Sequence, residues 1–434
     1  MKERSVGRSQ VIAVAAGAVI GTTIEWYDFF LYGYAATLIF PKLFFPPYYS
    51  PLTALLISLG TYTVGFVARP VGAWIFGHIG DRFGRRTGLL WDLVLMGLGA
   101  AIVGSLPGFS VLGFGSLAIA TAARILQGIG IGGEWGGAST WLVEHAARSR
   151  WRVFWGSWVQ QGVPMGLLWA SGILSLFAAF PPNSPLSLYN YGWRIAFWIG
   201  AAAAIIGIII RLYLAESPLF EDVRSRGEIA RAPWIEVWKN HWRTILLLAA
   251  SWAAQNAWFY LYSVYAVTFL KGIGFPAGPA LLTVAISSIV GIFLILGFAI
   301  LADRIGRRLT LLIVWLAGIV VSFPYVLLLM TRNFALILLA QFIIGIPVIY
   351  GSYAIFPTFF AEHFPTKYRY SGVGLSYHLA APFAGGLAPL LVAAFVGEQY
   401  LAHWWVFALI GMLYIILSLT ATAVLRETKG KELE

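Results

Sequence analysis

GDRFGRR at residues 80–86 and ADRIGRR at residues 302–308 are nearly one string written twice, 222 positions apart. Two further markers repeat in the same order at nearly the same offset: Glu144-His145 with Glu362-His363, and AESP (215–218) with RETKG (426–430), which places Glu216 opposite Glu427. Three markers recurring in order mean that one unit was duplicated, so the chain reads as two related halves. Each Asp-Arg loop also follows an apolar stretch long enough to cross a bilayer, and that fixes what kind of halves these are.

Working outward from the two loops, apolar stretches can be marked near 11–40, 52–78, 87–107, 112–146, 154–179, 191–214, 242–270, 278–302, 309–330, 334–361, 371–397 and 402–425. Crossing roughly 30 Å of hydrocarbon takes about 20 helical residues, whereas barrel strands would alternate over about ten. The expected fold is therefore an all-α membrane protein of twelve transmembrane helices in two six-helix bundles. Composition agrees: of 434 residues, 59% are hydrophobic and 11% charged, against about 25% charged in soluble domains. A soluble enzyme and a disordered chain are both excluded by these figures.

The net charge of +11 would point to nucleic acid in a soluble protein. Here its placement matters more. With the N-terminus inside, 23 Lys and Arg fall in inner segments and three (Lys42, Lys271, Arg332) in outer loops. The positive-inside rule then puts both termini in the cytoplasm. The first span, which continues through Trp26, Tyr27 and Phe29, reads as an uncleaved anchor rather than a signal peptide. The expected division is 1–214 for one bundle, 215–241 for a cytoplasmic linker and 242–434 for the other.

Twofold-repeated helical bundles with a site between them are the architecture of secondary transporters. GHIGDRFGRR (77–86) resembles the signature loop of the major facilitator superfamily. GTTIEWYDFFLYG (21–33), ARPVGAWIFGHIGDRFGRR (68–86), RILQGIGIGGEWGGA (124–138), GWRIAFW (192–198) and ESPLF (216–220) are similar to its metabolite:proton symporter family. The resemblance implies import of small organic acids, such as dicarboxylates, citrate or shikimate, or of osmolytes such as proline and betaine. It also implies a single working chain in the plasma membrane. Clusters at the inner end would pin the halves together while the outside is open: Asp81, Arg85, Arg86, Glu144 and Glu216 in the first half, and Asp303, Arg307, Arg308, Glu362, Arg369 and Glu427 in the second. Asp81 can cap a neighbouring helix N-terminus.

Ionisable residues inside spans are costly unless paired or facing water. Glu25 and Asp28 lie three apart on one face of the first helix, with Tyr32 a turn further on. Arg124 falls at comparable depth on the fourth, so an Asp28–Arg124 pair is expected, with Gln127 a turn below. An ion pair keeps a carboxylate ionised, and loss of the partner lets it take a proton. Glu134, in GGEWGGA, joins Glu25, Asp28 and Arg124 as a candidate for proton coupling; the alternative is a static pair fixing two helices. Arg69 and Asp92 read as another pair, with Asp92 a local counter-ion for Arg69 or the loop basics.

Polar candidates for substrate contact are Tyr32, Gln127, Gln160, Gln161, Gln255, Asn256, Tyr260, Tyr377 and His378, because amides and phenols donate and accept hydrogen bonds alike. Trp26, Trp135 and Trp258 are candidate cavity walls. Six His and no Cys leave little from which to build a metal centre. The sequence holds no GxxxxGK[ST] string, HExxH or GxSxG, so neither ATP hydrolysis nor enzymatic chemistry is expected. No cofactor, metal or nucleic acid is expected; the expected partners are a small-molecule substrate, protons and the lipid bilayer. The function reads as proton-coupled symport of a small organic acid or related polar metabolite by alternating access. The rivals are a proton-independent facilitator of a sugar-like or zwitterionic solute and, less favoured, a non-transporting membrane sensor.

Overall fold

The computed structural model describes residues 8–83, 85–147, 149–213, 233–365 and 369–433. They form long helical rods: α1 (Arg8–Tyr34), α2 (Pro51–Phe83), α3 (Arg85–Ser105), α4 (Gly115–Glu144), α5 (Arg152–Ala178), α6 (Trp193–Tyr213), α7 (Pro233–Tyr260), α8 (Ala277–Ile305), α9 (Arg307–Met330), α10 (Phe334–Ala361), α11 (Arg369–Val396) and α12 (Trp404–Val424). Among the described residues, nine helices are long and apolar enough to cross a membrane; α3 contributes only the shorter apolar run Leu90–Ser105. Large apolar side chains such as Trp169, Ile205, Phe293, Val320 and Leu413 point outward, as a bilayer rather than water requires.

Several rods are not regular α-helix throughout. π-helical turns follow α1 (Ala35–Ile39) and α7 (Leu261–Tyr265), and others interrupt α10 (Gly345–Gly351) and α11 (Pro382–Gly386). Such insertions re-aim side chains locally and recur at functional sites. Within the expected linker, α7 begins at Pro233 and bends at His241. PWIEVWKNH buries Val237 while Ile235 and Trp238 stay exposed, which suits a helix lying along the bilayer surface. Residues 214–232 lie outside the described residues, Glu216 among them.

α1–α6 pack mainly among themselves, chiefly α3 on α6, α1 on α5, and α2 on α4; α7–α12 do likewise, with α12 on α7 and α9, and α11 on α7. The α2–α4 crossing is as close as backbones allow. A Cβ at Gly72 would run into the Ile129 carbonyl, and one at Gly128 into the Gly65 carbonyl. Small residues at such contacts replace the hydrophobic drive that lipid cannot supply. The two sets meet along α5 with α8 and α2 with α11, and α4 also touches α10 and α11 near the Asp-Arg loops.

Candidate functional site

Asp28 is buried on α1 and accepts a hydrogen bond from the Gln127 amide of α4, leaving its Oδ1 without a partner. The Arg124 Nη1 donates to the Gln127 carbonyl oxygen at 3.3 Å. The expected direct ion pair is thus a relay, Asp28–Gln127–Arg124, with an amide between the charges. The guanidinium lies 3.8 Å from the centre of the Phe29 ring, 4.6 Å from Tyr32 and 4.8 Å from Tyr62. This aromatic box holds the cation through ring quadrupoles, while Nε and Nη2 find no hydrogen-bond acceptor. Tyr32, expected at the substrate, shares its one hydroxyl proton between Thr61 Oγ1 (3.1 Å) and the Ala120 carbonyl (3.2 Å).

A second acidic group lies beside the first. Oxygens of Glu25 (α1), Asp92 (α3) and Glu134 (α4) stand within 4.8 Å of one another, all three residues buried. Of the two partners that the sequence offers for Asp92, namely Arg69 and the loop basics, Arg69 is not its partner, and the loop side chains of Arg85 and Arg86 lie outside the described residues. Asp92 faces Gly130 of α4, where the missing side chain leaves room for its carboxylate. Arg69 lies on the α11 side of α2, 4.1 Å from the Phe29 ring centre and 4.6 Å from that of Phe66, with its Nη2 3.5 Å from the Tyr260 hydroxyl. One depth fits both residues, yet Arg69 meets Phe29, Phe66 and Tyr260 while Asp92 meets Gly130, Glu25 and Glu134. The scarcity of His and Cys also gave no hint that three carboxylates would converge closely enough to share a cation.

The polar candidates divide by whether their hydrogen bonds are already made. Gln160 accepts from the Trp135 indole at 2.9 Å and donates to the Tyr353 carbonyl at 3.1 Å, so it bridges the two sets of helices. Gln255 accepts from Trp252 at 2.8 Å and lies 3.5 Å from the Ile349 carbonyl. Gln161, the Asn256 carbonyl oxygen and both His378 nitrogens are buried with no partner, which leaves them for a ligand or water. Gln341 on α10 shares that condition and was missed; an amide inside the 334–361 span was its only signal. Tyr260 accepts from Arg69 and stacks edge-on against Phe66.

Tyr377 of α11 is sandwiched between Trp135 of α4 (3.7 Å between ring centres) and Trp252 of α7 (3.8 Å). Trp26 and Trp135 wall a cavity of about 10 Å³ together with Glu25, Glu134, Tyr377 and His378, room for about one water. Trp258 does not. It donates to the Gly411 carbonyl at 2.9 Å and packs on Phe407, because its face of α7 turns toward α12. Trp252, six residues earlier, instead stacks on Tyr377 of the cavity wall.

At the Asp-Arg end the charged residues of the second half converge. Glu362 accepts from Arg152 Nη1 at 2.7 Å, Arg307 Nε and Nη2 at 3.1 Å each, and Thr428 Oγ1 at 2.6 Å. Arg152 begins α5, so this contact joins the two sets. Asp303 accepts from the backbone N–H groups of Val153 and Phe154, both at 3.0 Å, capping α5 from the other half. The capping expected of Asp81 is what its repeat counterpart does. Arg369 and Glu144 pair across the halves at 2.8 Å. Glu427 receives the N–H groups of Arg307 (2.9 Å) and Arg308 (3.0 Å) at the start of α9. Burial works against its charge, but backbone N–H bonds from Lys429, Arg307, Thr428 and Leu309 outweigh this and hold its carboxyl below the usual range. Arg308 stays within its own half, donating to the Thr422 carbonyl at 3.3 Å. Arg152 and Thr428 were missed because a loop arginine and a tail threonine carry no local signal. The side chains of Asp81, Arg85 and Arg86 lie outside the described residues.

At the opposite end Ser175 donates to the Gly278 carbonyl (3.0 Å); nearer the centre Thr63 donates to the Gly386 carbonyl (2.8 Å) and Phe30 meets Phe259 at 5.2 Å between ring centres. Contacts therefore bridge the halves at both ends. That arrangement places an aromatic-lined polar centre between the two sets of helices.

The comparisons agree with the architecture. A match to the Major Facilitator Superfamily spans residues 18–389, and the chain belongs to that family. It is 34% identical to the inner membrane metabolite transport protein YhjE of Escherichia coli, over 88% of this chain and 87% of that one. It is 33% identical to the shikimate transporter of the same organism, over 93% and 91%. Among solved structures, the partially occluded inward-open form of the xylose transporter XylE from E. coli superposes with a TM-score of 0.75 at 18% identity, covering 98% of this chain and 100% of that one, and shares the fold. The protein is a multi-pass membrane transporter of metabolites, not an enzyme.

Proposed function

We propose that the chain is a proton-coupled symporter that imports a small organic acid or related polar metabolite, working as a single chain by alternating access. Its twelve helices form two bundles, 1–214 and 242–434, joined by a cytoplasmic segment over 215–241, with both termini in the cytoplasm. The observation that carries the reading is the Asp28–Gln127–Arg124 relay. A proton on Asp28 removes the charge that holds the Gln127 amide, and a released Gln127 frees Arg124 to take a substrate carboxylate on its unoccupied Nη2. Glu25, Asp92 and Glu134 lie one step nearer the Asp-Arg end, and three carboxylates so close attract a cation, the proton included. Gln161, Asn256 and His378 supply unsatisfied polar groups for the rest of the cargo. The ion pairs around Glu362 and the Arg369–Glu144 pair act as the inner gate. The shikimate transporter supports an organic acid as cargo.

In proteoliposomes with acid outside, Asp28→Asn is expected to abolish gradient-driven uptake of shikimate or a dicarboxylate while tracer exchange persists. Undiminished accumulation by the variant removes Asp28 from coupling. Wild-type uptake indifferent to the gradient makes the protein a facilitator.

A further inference from the structure

The end opposite the Asp-Arg loops carries a feature that the central site does not use. A cleft of about 590 Å³ opens there between the segment after α1 and the end of the helix that follows α7. Lys42 and Lys271 both line it, one from each half, at corresponding places after the first helix of each repeat. Their ammonium groups share one ring: Lys42 Nζ lies 4.0 Å and Lys271 Nζ 5.6 Å from the centre of Tyr189. The two cations therefore stand no more than about 9.6 Å apart. Glu398 is the one carboxylate lining the cleft, and its Oε1 is engaged by the Leu52 N–H at 3.3 Å. Of the three basic residues that the sequence assigns to outer loops, two converge here, although like charges repel.

We infer that this cleft is an outer docking site for a carboxylate anion, which Lys42 and Lys271 hold between the two halves before it passes to Arg124. The inference rests on the reading of the chain as an importer of organic acids. It answers a difficulty of that reading, because the acidic centre around Glu25, Asp28, Asp92 and Glu134 repels an anion and two lysines at the mouth offset this. Positive charge at a cleft raises the local concentration of an anion and its rate of arrival, and does so less as salt rises. An anion spanning the two lysines also draws the outer rims together.

The test uses the full chain in proteoliposomes with labelled succinate, shikimate and glycine betaine, at low and high salt, with calorimetric binding of the same probes to the purified chain. Lys42→Gln and Lys271→Gln should each raise KM for the acids about threefold and the double variant about tenfold at low salt, with kcat nearly unchanged. The difference should shrink at high salt, Lys→Arg at both sites should preserve KM, and betaine should be indifferent. Acid transport with an unchanged KM in the double variant overturns the docking site and leaves the transport reading intact. A wild type that moves betaine but neither acid overturns both, as does one that neither binds nor moves any acid. A double variant that loses kcat alone, with KM and salt dependence unchanged, also overturns the inference.

Discussion

Replacing Arg152 by Gln should loosen the proposed inner gate by a calculable amount. Arg152 reaches Glu362 across the halves at 2.7 Å and the Lys431 carbonyl at 2.9 Å, with its side chain 11% exposed and that of Glu362 fully buried. Breaking a buried ion pair costs about 3–5 kcal/mol when the remaining charge is stranded. Glu362 is not stranded here, since Arg307 and Thr428 still hold it. About 2 kcal/mol is therefore the share that depends on the halves being closed, and it shifts the closed-to-open ratio by roughly 30-fold. Because the chain has no cysteine, a single introduced thiol reports cleanly. Thr358, fully buried beside Arg152, whose carbonyl it reaches at 3.3 Å, is a suitable place. In Thr358→Cys protein in nanodiscs, Arg152→Gln should speed maleimide labelling about 30-fold. Arg308→Gln, whose contacts stay within one half, should leave the rate alone. A rate within twofold of the parent in Arg152→Gln refutes the gate, and equal acceleration by Arg308→Gln shows general loosening instead.

Gly72→Ala should lower stability by about 1–3 kcal/mol, read as a lower melting temperature in detergent, because its methyl meets the Ile129 carbonyl where neither helix can retreat. An unchanged melting temperature would mean that α2 and α4 are not in that contact. The two neighbouring amides of α5 should behave differently. Gln160→Ala strands the Trp135 indole and the Tyr353 carbonyl and should cost about 1–3 kcal/mol of stability. Gln161→Ala strands nothing and should instead raise KM for the cargo with the melting temperature unmoved. Equal melting temperatures in both variants would remove the distinction.

The helical membrane fold, the duplication and the rows of charge at one end are legible in the sequence, because these are written in local quantities. Apolar length fixes a span, basic loops fix a side, and GDRFGRR with ADRIGRR fixes the repeat. The sequence also placed Asp28 and Arg124 at one depth, since rise per residue is constant along a helix. Which way each helix turns about its axis is a different matter, because the lipid-facing and packed sides of a membrane helix are both largely apolar and the sequence leaves the rotation open. Rotation is set by packing between helices distant in the chain. The glycines of α2 and α4 bring those helices into contact, and the turn of α3 then sends Asp92 to Gly130, Glu25 and Glu134 rather than to Arg69. The facing of α4 puts Gln127 between Asp28 and Arg124, and that of α7 exchanges Trp258 for Trp252 at the centre. Val153 and Asp303 join only because residues 150 positions apart in the chain meet where the two halves close.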